Sequence, residues 1–478
     1  MNKLRTFFIT GFLSLTLFFT GCGQNTTHST PKQTTTTTLT DVISGQNSNN
    51  SLSTGLFSKK EDIPRHEDGR AIVTLSVFHA NQEIEAALVA FNQQNSEYYI
   101  ELITAQDDMT YKDYIERELI EISAGKGPDL FTKTLQSDFC TYVDKGVIED
   151  LSPYIERDLN KTDYLESSLY AYAKEGKVYA IESSFTLSLL AGSQDILGEL
   201  EGWNLPQLLE LMNENPEFHI FQNASTGVFL KNYLGYGSPD YTDYETLREC
   251  LAFDKAHSTE LPSDVPAIPG QSVLVEHISI MNALDWADYE ALYEQELTPV
   301  GYISTQQTGI FHNGTGWSIN GASKQKEGAW AFLRFLLSEE YQREYIRGFS
   351  PRVDLLEEQL MFYSKPMTYS YFDESTDKEY TGTVGHTLVR TSNATEITQA
   401  FIEEHGTACI QIDCMSDKQL QTVRKLINSS YVPCFDWDVT AQNIIYEEAA
   451  YYFHGERSLD EVMNNIENRM NIYFSETE

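Results

Sequence analysis

Three observations predict an α/β fold. Short runs rich in Val, Ile, Leu and Phe alternate with stretches whose apolar residues recur every three or four positions. From residue 71 to residue 131 these segments follow the order strand, helix, strand, helix, strand. Polar residues of the capping type stand at the helix starts. Such an alternation builds parallel βαβ units, with helices on both faces of a mostly parallel sheet.

The first strand is read over 71–78 (AIVTLSVF), where β-branched and apolar residues fit a buried position. Asn81 then caps a helix carrying Ile84, Ala87, Leu88 and Phe91 on one face. Residues 99–103 (YIELI) give a second strand, and Tyr111, Tyr114, Ile115, Leu119 and Ile122 give a second helix that stops at Gly125. Residues 127–131 (GPDLF) turn into a third strand. Ligands of open α/β sheets collect beyond the carboxyl ends of parallel strands, here near Phe78 and His79 and near Phe131 and Thr132.

Further along, 176–181 (GKVYAI) reads as a strand that passes through 182–185 into the apolar run 186–191, a candidate crossing between lobes. A short helix is read over 203–212, a strand over 273–280 and another over 317–320. Trp330, Leu333, Leu336 and Leu337 then mark a helix. Near the C-terminus, Ser416 with Gln419 and Ser458 with Glu461 fit the capping box, in which each side chain satisfies an orphan amide of the other residue. Between these boxes, Ile444, Ile445, Ala449 and Tyr452 mark a helix ending at Gly455.

The N-terminus bears on location. Lys3 and Arg5 precede an apolar stretch over 7–19, and Thr20 and Gly21 supply small residues before Cys22. The stretch is about thirteen residues, short of the roughly twenty that cross hydrocarbon as a helix. It is similar to the bacterial lipobox, with Phe19 where the pattern has Leu. The resemblance implies a signal peptide over 1–21 and lipid attachment at Cys22, on the extracellular face of the cell membrane. Residues 22–70 follow as a tether rich in Thr, Ser and Asn, including the run 34–38, and such a composition does not offset its ordering entropy.

A formal charge of −38 excludes nucleic acid and anionic lipid surfaces as expected partners. Beyond Cys22 the five cysteines Cys140, Cys250, Cys409, Cys414 and Cys434 do not form a disulfide framework. The ten histidines show no metal-ligand spacing, and neither a metal nor a cofactor is expected. Neither a nucleophile elbow, a zinc-protease motif, a phosphate-binding loop nor a dinucleotide fingerprint is present, so no enzyme activity is expected. The alternatives are a surface lipoprotein enzyme acting on polysaccharide and a ligand-sensing lobe for a membrane receptor.

Residues 91–95 (FNQQN), 121–131 (EISAGKGPDLF), 145–155 (KGVIEDLSPYI), 316–320 (GWSIN), 323–333 (SKQKEGAWAFL) and 447–453 (EEAAYYF) occur in this order behind the lipobox. In that order the chain resembles the family 1 extracellular solute-binding proteins of ABC importers, the carbohydrate-binding group that includes maltose-binding protein. The resemblance implies a two-lobed, type II periplasmic-binding-protein-like α/β fold, with lobe 1 from 71–182 and 312–349 and lobe 2 from 183–311 and 350–478. It also implies a ligand cleft between lobes, a monomer, a small solute, expected to be a sugar or oligosaccharide, and a membrane permease as partner. Sugar C–H faces are apolar and stack on aromatic rings. By position the candidate ligand contacts are Phe78, His79, Phe131, Phe185, His277, Tyr302 and Trp317. Relatives carry a Trp where Gln442 stands, and Trp437 in the preceding loop is the candidate substitute.

Overall fold

The computed structural model describes residues 64–106, 108–134, 138–222, 225–236, 240–258, 261–262, 265–303, 309–373, 378–384, 386–389, 409–412, 414–432 and 438–477. Cys22, most of the 22–70 tether and Trp437 lie outside the described residues. Strand β1 (Ala71–Val77) buries Val73, Leu75 and Val77, and helix α1 (Gln82–Gln94) follows it with Asn81 accepting from the Ile84 amide at 2.9 Å. Strand β2 (Tyr98–Thr104) and helix α2 (Tyr111–Ser123) repeat the unit, with Thr110 as cap and Gly125 at φ 69° behind the last turn. Strand β3 (Leu130–Thr134) closes the βαβαβ unit. Pairing of β1 with β2 and with β3 is parallel, as the alternation predicts.

The expected strand over 176–181 is divided. Strands β4 (Ala173–Lys174) and β5 (Lys177–Val178) form a small hairpin, and the long strand β6 (Ile181–Ser193) starts shortly after it. The turn is the cause: Glu175 and Gly176 both take positive φ, 52° and 78°, the backbone that a two-residue hairpin turn requires.

Beyond β3 the pairing changes. Strands β7 (Val275–Ile280), β8 (Leu297–Pro299) and β9 (Phe311–Ile319) complete a seven-stranded sheet of order β2-β1-β3-β9-β6-β7, with β8 on β6. All pairs made by β6 and β9 are antiparallel, so mostly parallel pairing describes the β1–β3 end and antiparallel pairing the rest. One half of β9 pairs with β3 and the other with residues 185–188 of β6. These two strands thereby join the two ends of the sheet. A register shift at Ser183 and Ser184 bends β6 at the junction. There a third segment arrives: Phe349 exchanges both backbone hydrogen bonds with Phe185, at 3.1 and 2.7 Å. Gly348 makes this approach possible, since its φ is 96° and a Cβ there would lie 2.5 Å from the Phe185 carbonyl oxygen.

Apolar side chains gather in cores on either side of the junction. Toward β1, Val73, Phe91, Ile181, Trp317, Trp330 and Phe332 form one core, and Phe131, Phe139, Tyr142 and Tyr172 a smaller one. Toward β7, Trp203, Phe229, Tyr302, Phe311, Ile445 and Ile466 form a core, and Phe185, Ile278, Trp286, Leu356 and Val423 another. The first pair draws on residues 73–181 and 317–341, the second on 185–311 and 349–470. Each set therefore uses two separated stretches of chain. Both capping boxes form, at Ser416 with Gln419 and at Ser458 with Glu461. Two antiparallel pairs stand off the main sheet, β10 (Met367–Asp373) with β11 (Lys378–Val384) and β12 (His386–Val389) with β13 (Cys409–Ile412). Among the described residues, no helix is long and apolar enough to cross a membrane.

Candidate functional site

The end of β1 leaves the core at Phe78. This ring is half-buried, tilted against His79 at 4.0 Å, edge-on to Tyr111 at 5.2 Å and 5.5 Å from Tyr114. His79 is exposed. A buried network holds the aromatic group from below: Ser76 Oγ and Tyr114 Oη lie 2.7 Å apart, and the Tyr114 and Tyr142 hydroxyls both donate to Glu118, at 2.7 and 3.3 Å. Burial and the Glu118 charge push the Tyr114 hydroxyl well above the usual phenol range, which keeps it a donor.

Beside Phe78 the chain turns into α1 and lines a cavity of about 420 Å³ with Ala80, Asn81, Gln82, Glu83, Glu85 and Arg347. Arg347 Nη2 donates to Gln82 Oε1 at 2.9 Å, tying the cavity wall to the third junction segment. Ser184, in the bend of β6, donates to Glu83 Oε1 at 3.4 Å. Burial pushes the Glu83 carboxyl up from its ordinary value, against opposing effects of Ser184, Arg347 and Tyr341. Burial, with the Glu83 charge nearby, pushes the Tyr341 hydroxyl well above the usual phenol range, although that hydroxyl lies outside hydrogen-bond geometry. The cavity thus offers amide groups, carboxylates and a guanidinium to a small polar molecule, two residues along the chain from the half-buried Phe78 ring.

A second groove of about 370 Å³ lies at the other end of the strands, between Gln94–Tyr98 and Arg157, Asp158, Glu327, Trp330 and Arg334. Its charges are already matched. Arg157 binds Asp158 and Glu327 at 2.8 and 2.9 Å, and Trp330 Nε1 donates to Asp158 at 2.7 Å.

His277, on β7, is half-buried with Nδ1 3.1 Å from the Tyr302 hydroxyl and its ring 5.1 Å from Phe221. Burial holds this imidazole down at about 4, so it is neutral near pH 7. The neighbouring Glu276 accepts the backbone amides of His277 and Gln222, at 3.0 and 3.2 Å, and burial pushes its carboxyl up.

Four of the expected ligand contacts, Phe131, Phe185, Tyr302 and Trp317, are buried in the cores of this structure. Phe131 is fully buried against Tyr142, and Phe185 is sealed between His312 and Phe349. Trp317 points into the first core, with its Nε1 donating to Ser183 Oγ at 3.1 Å and its ring on Phe332. Tyr302 is 6 % exposed and packs on Phe311 as well as His277. The common cause is that each sits where neighbouring strands or helices cover both sides, whereas Phe78 sits where β1 has run out. Sequence reasoning does not reach Gln82, Glu83, Tyr111, Ser184 and Arg347 as site residues. A polar pair just behind a strand end, Gln82 and Glu83, is the available signal.

Among the described residues no group of three or more His, Cys, Asp or Glu is placed to hold a metal ion. No family model and no curated protein sequence matches the chain. Solved structures do. The structural neighbours are ABC solute-binding proteins. An extracellular solute-binding protein family 1 member from Alicyclobacillus acidocaldarius is 13 % identical over 84 % of this chain and 98 % of its own, with a TM-score of 0.49. An ABC substrate-binding protein from Listeria monocytogenes, in complex with cycloalternan, is 15 % identical over 84 % and 99 %, at 0.43. A maltose-bound protein of T. maritima is 13 % identical over 84 % and 99 %, at 0.44. The architecture of this chain stands on its own strand order and pairing.

Proposed function

We propose that this chain is a lipid-anchored extracellular solute-binding protein that captures a small solute, a sugar or oligosaccharide, and delivers it to an ABC import permease. The observation that carries the reading is the open corner at the end of β1. There Gln82, Glu83 and Arg347 line the cavity, Ser184 reaches Glu83, and Phe78, with Tyr111 at its edge, lies just ahead of the lining residues in the chain. A sugar needs that pairing, because its ring faces are apolar and its rim carries hydroxyls. The volume of about 420 Å³ falls within the roughly 300–1,000 Å³ of small-molecule sites.

Position supports the same reading. The corner touches Ser184 and Arg347, which belong to two of the three segments joining the two sets of cores, so a bound solute bears directly on the joint. Closure of two domains about such a joint is an established device for trapping a ligand. Anchoring rests on Cys22 and the residues preceding it.

Thermal shift and calorimetry with a panel of sugars, amino acids and polyamines test the solute class. A sugar present at ten times its Kd raises stability by about 1.4 kcal/mol. Phe78→Ala must then abolish most of that shift. A shift from amino acids or polyamines and none from sugars rejects the sugar, and turnover of the bound compound rejects the transport reading in favour of an enzyme. Metabolic labelling with a fatty acid, lost in Cys22→Ser, tests the anchor.

A further inference from the structure

The short helix Glu339–Glu344 carries a buried polar group that the fold leaves unused. Its Tyr341 is 0 % exposed, with the ring packed on Phe335 at 5.4 Å and stacked on Tyr345 at 5.6 Å. The hydroxyl has no hydrogen-bond partner among the described residues. The next residue is the reverse case. Gln342 Nε2 donates to the carbonyls of Ser183 and Leu336 at 2.6 and 2.7 Å, and its Oε1 accepts from Ser350 Oγ at 2.7 Å. These bonds tie the helix to the bend of β6 and to the segment that follows Phe349. The helix is therefore fixed in place, and a partner for the Tyr341 hydroxyl has to come to it.

Glu83 is the acceptor within reach. It lines the solute cavity, and among the described residues its carboxylate receives one long hydrogen bond, from Ser184 Oγ at 3.4 Å. Its charge acts on the Tyr341 hydroxyl, and Tyr341 in turn favours the ionised carboxylate. A buried donor without an acceptor thus stands beside a half-buried acceptor with a weak donor. An open cavity lets solvent hydrate the carboxylate, whereas a solute that fills the cavity displaces that solvent and leaves the carboxylate in need of protein donors. We propose that Tyr341 is the positioning residue of the solute site: when a solute fills the cavity, Glu83 turns onto the Tyr341 hydroxyl and is held there with its remaining lone pairs aimed at the solute's own hydroxyl groups. The new bond is charge-assisted, and so stronger than the Ser184 contact it supplements. Because the helix is tied to Ser183 and Ser350, the same bond draws the start of α1 toward the joint. This inference rests on the solute-binding function proposed above.

Tyr341→Phe in the full-length chain removes one oxygen and keeps the ring, and two readouts are expected to move in opposite senses. Without solute, the melting temperature rises by about 1–2 °C, because an unpartnered buried hydroxyl is gone. With the tightest binder from a panel of maltotriose, mannotriose, cellobiose and xylobiose, calorimetry shows an affinity about tenfold weaker. Glu83→Gln weakens binding as well, and the double variant is no weaker than the worse of the two single ones, since both act through one bond. A purely structural Tyr341 gives a lower melting temperature in Tyr341→Phe, and that result overturns the proposal. Unchanged affinity, or losses that add in the double variant, overturns it too while leaving the solute-binding function standing. Binding of none of the four sugars instead rejects that function, and the positioning role with it.

Discussion

Phe78 and Trp317 are aromatic residues of the same sheet, and their surroundings are opposite. Trp317 lies in the body of β9, paired with β3 and β6, with Phe332 against its ring. Phe78 follows the last residue of β1 and keeps part of its surface open beside a cavity. Side-chain chemistry does not separate them. What separates them is whether neighbouring strands continue past the residue, and so a ring in mid-strand holds the fold while a ring at a strand end is available to a partner.

Substitution is expected to divide the pair. Trp317→Ala should cost about 3–5 kcal/mol, read as a shift of the urea midpoint. Phe78→Ala should cost less, about 1–2 kcal/mol, because part of its area stays in water, yet weaken solute binding about tenfold or more. Equal stability losses from the two would erase the contrast.

The histidines sharpen it. The two are the same residue type, yet the structure leaves His79 exposed and half-buries His277 against Tyr302. For His277 the folded value is about 4 against an ordinary 6.5, so the unfolded chain takes up a proton first as pH falls. Stability from this group is present above about pH 6.5 and is lost between there and about pH 4, by up to about 3 kcal/mol. His277→Gln should flatten the melting temperature over that window.

Glu83 and Asn81 come next in size. The Glu83 carboxyl is pushed up on folding, so its ionisation opposes folding as pH rises from the ordinary value of 4.5 through its folded value. Glu83→Gln should therefore raise the melting temperature at neutral pH, with the gain vanishing in acid, and should weaken solute binding. Asn81→Ala removes the α1 cap and should cost about 1 kcal/mol by chemical denaturation.

The βαβαβ unit is legible in the sequence because its signals are local. Asn81 caps the helix beside it, Gly125 ends the next, and the β1 and β2 residues fit a buried parallel sheet. The junction is not legible to the same degree. Glu182 meets His312, and Phe185 meets Phe349, across chain separations that no periodicity encodes. The same holds for Arg347 at the candidate site, which arrives from a segment far from α1. The β10–β11 pair is equally hard to read, since its short runs mix Tyr and Thr without a sustained apolar face.

Each set of cores is assembled from two stretches of chain separated by a long excursion through the other. A polypeptide emerging N-terminus first must therefore deliver Trp317, Trp330 and Phe332 before the earliest strands find their full complement of neighbours. Late closure of this kind entails slow folding and a prolonged need for protection from aggregation, and it means that neither half can be excised as one continuous piece.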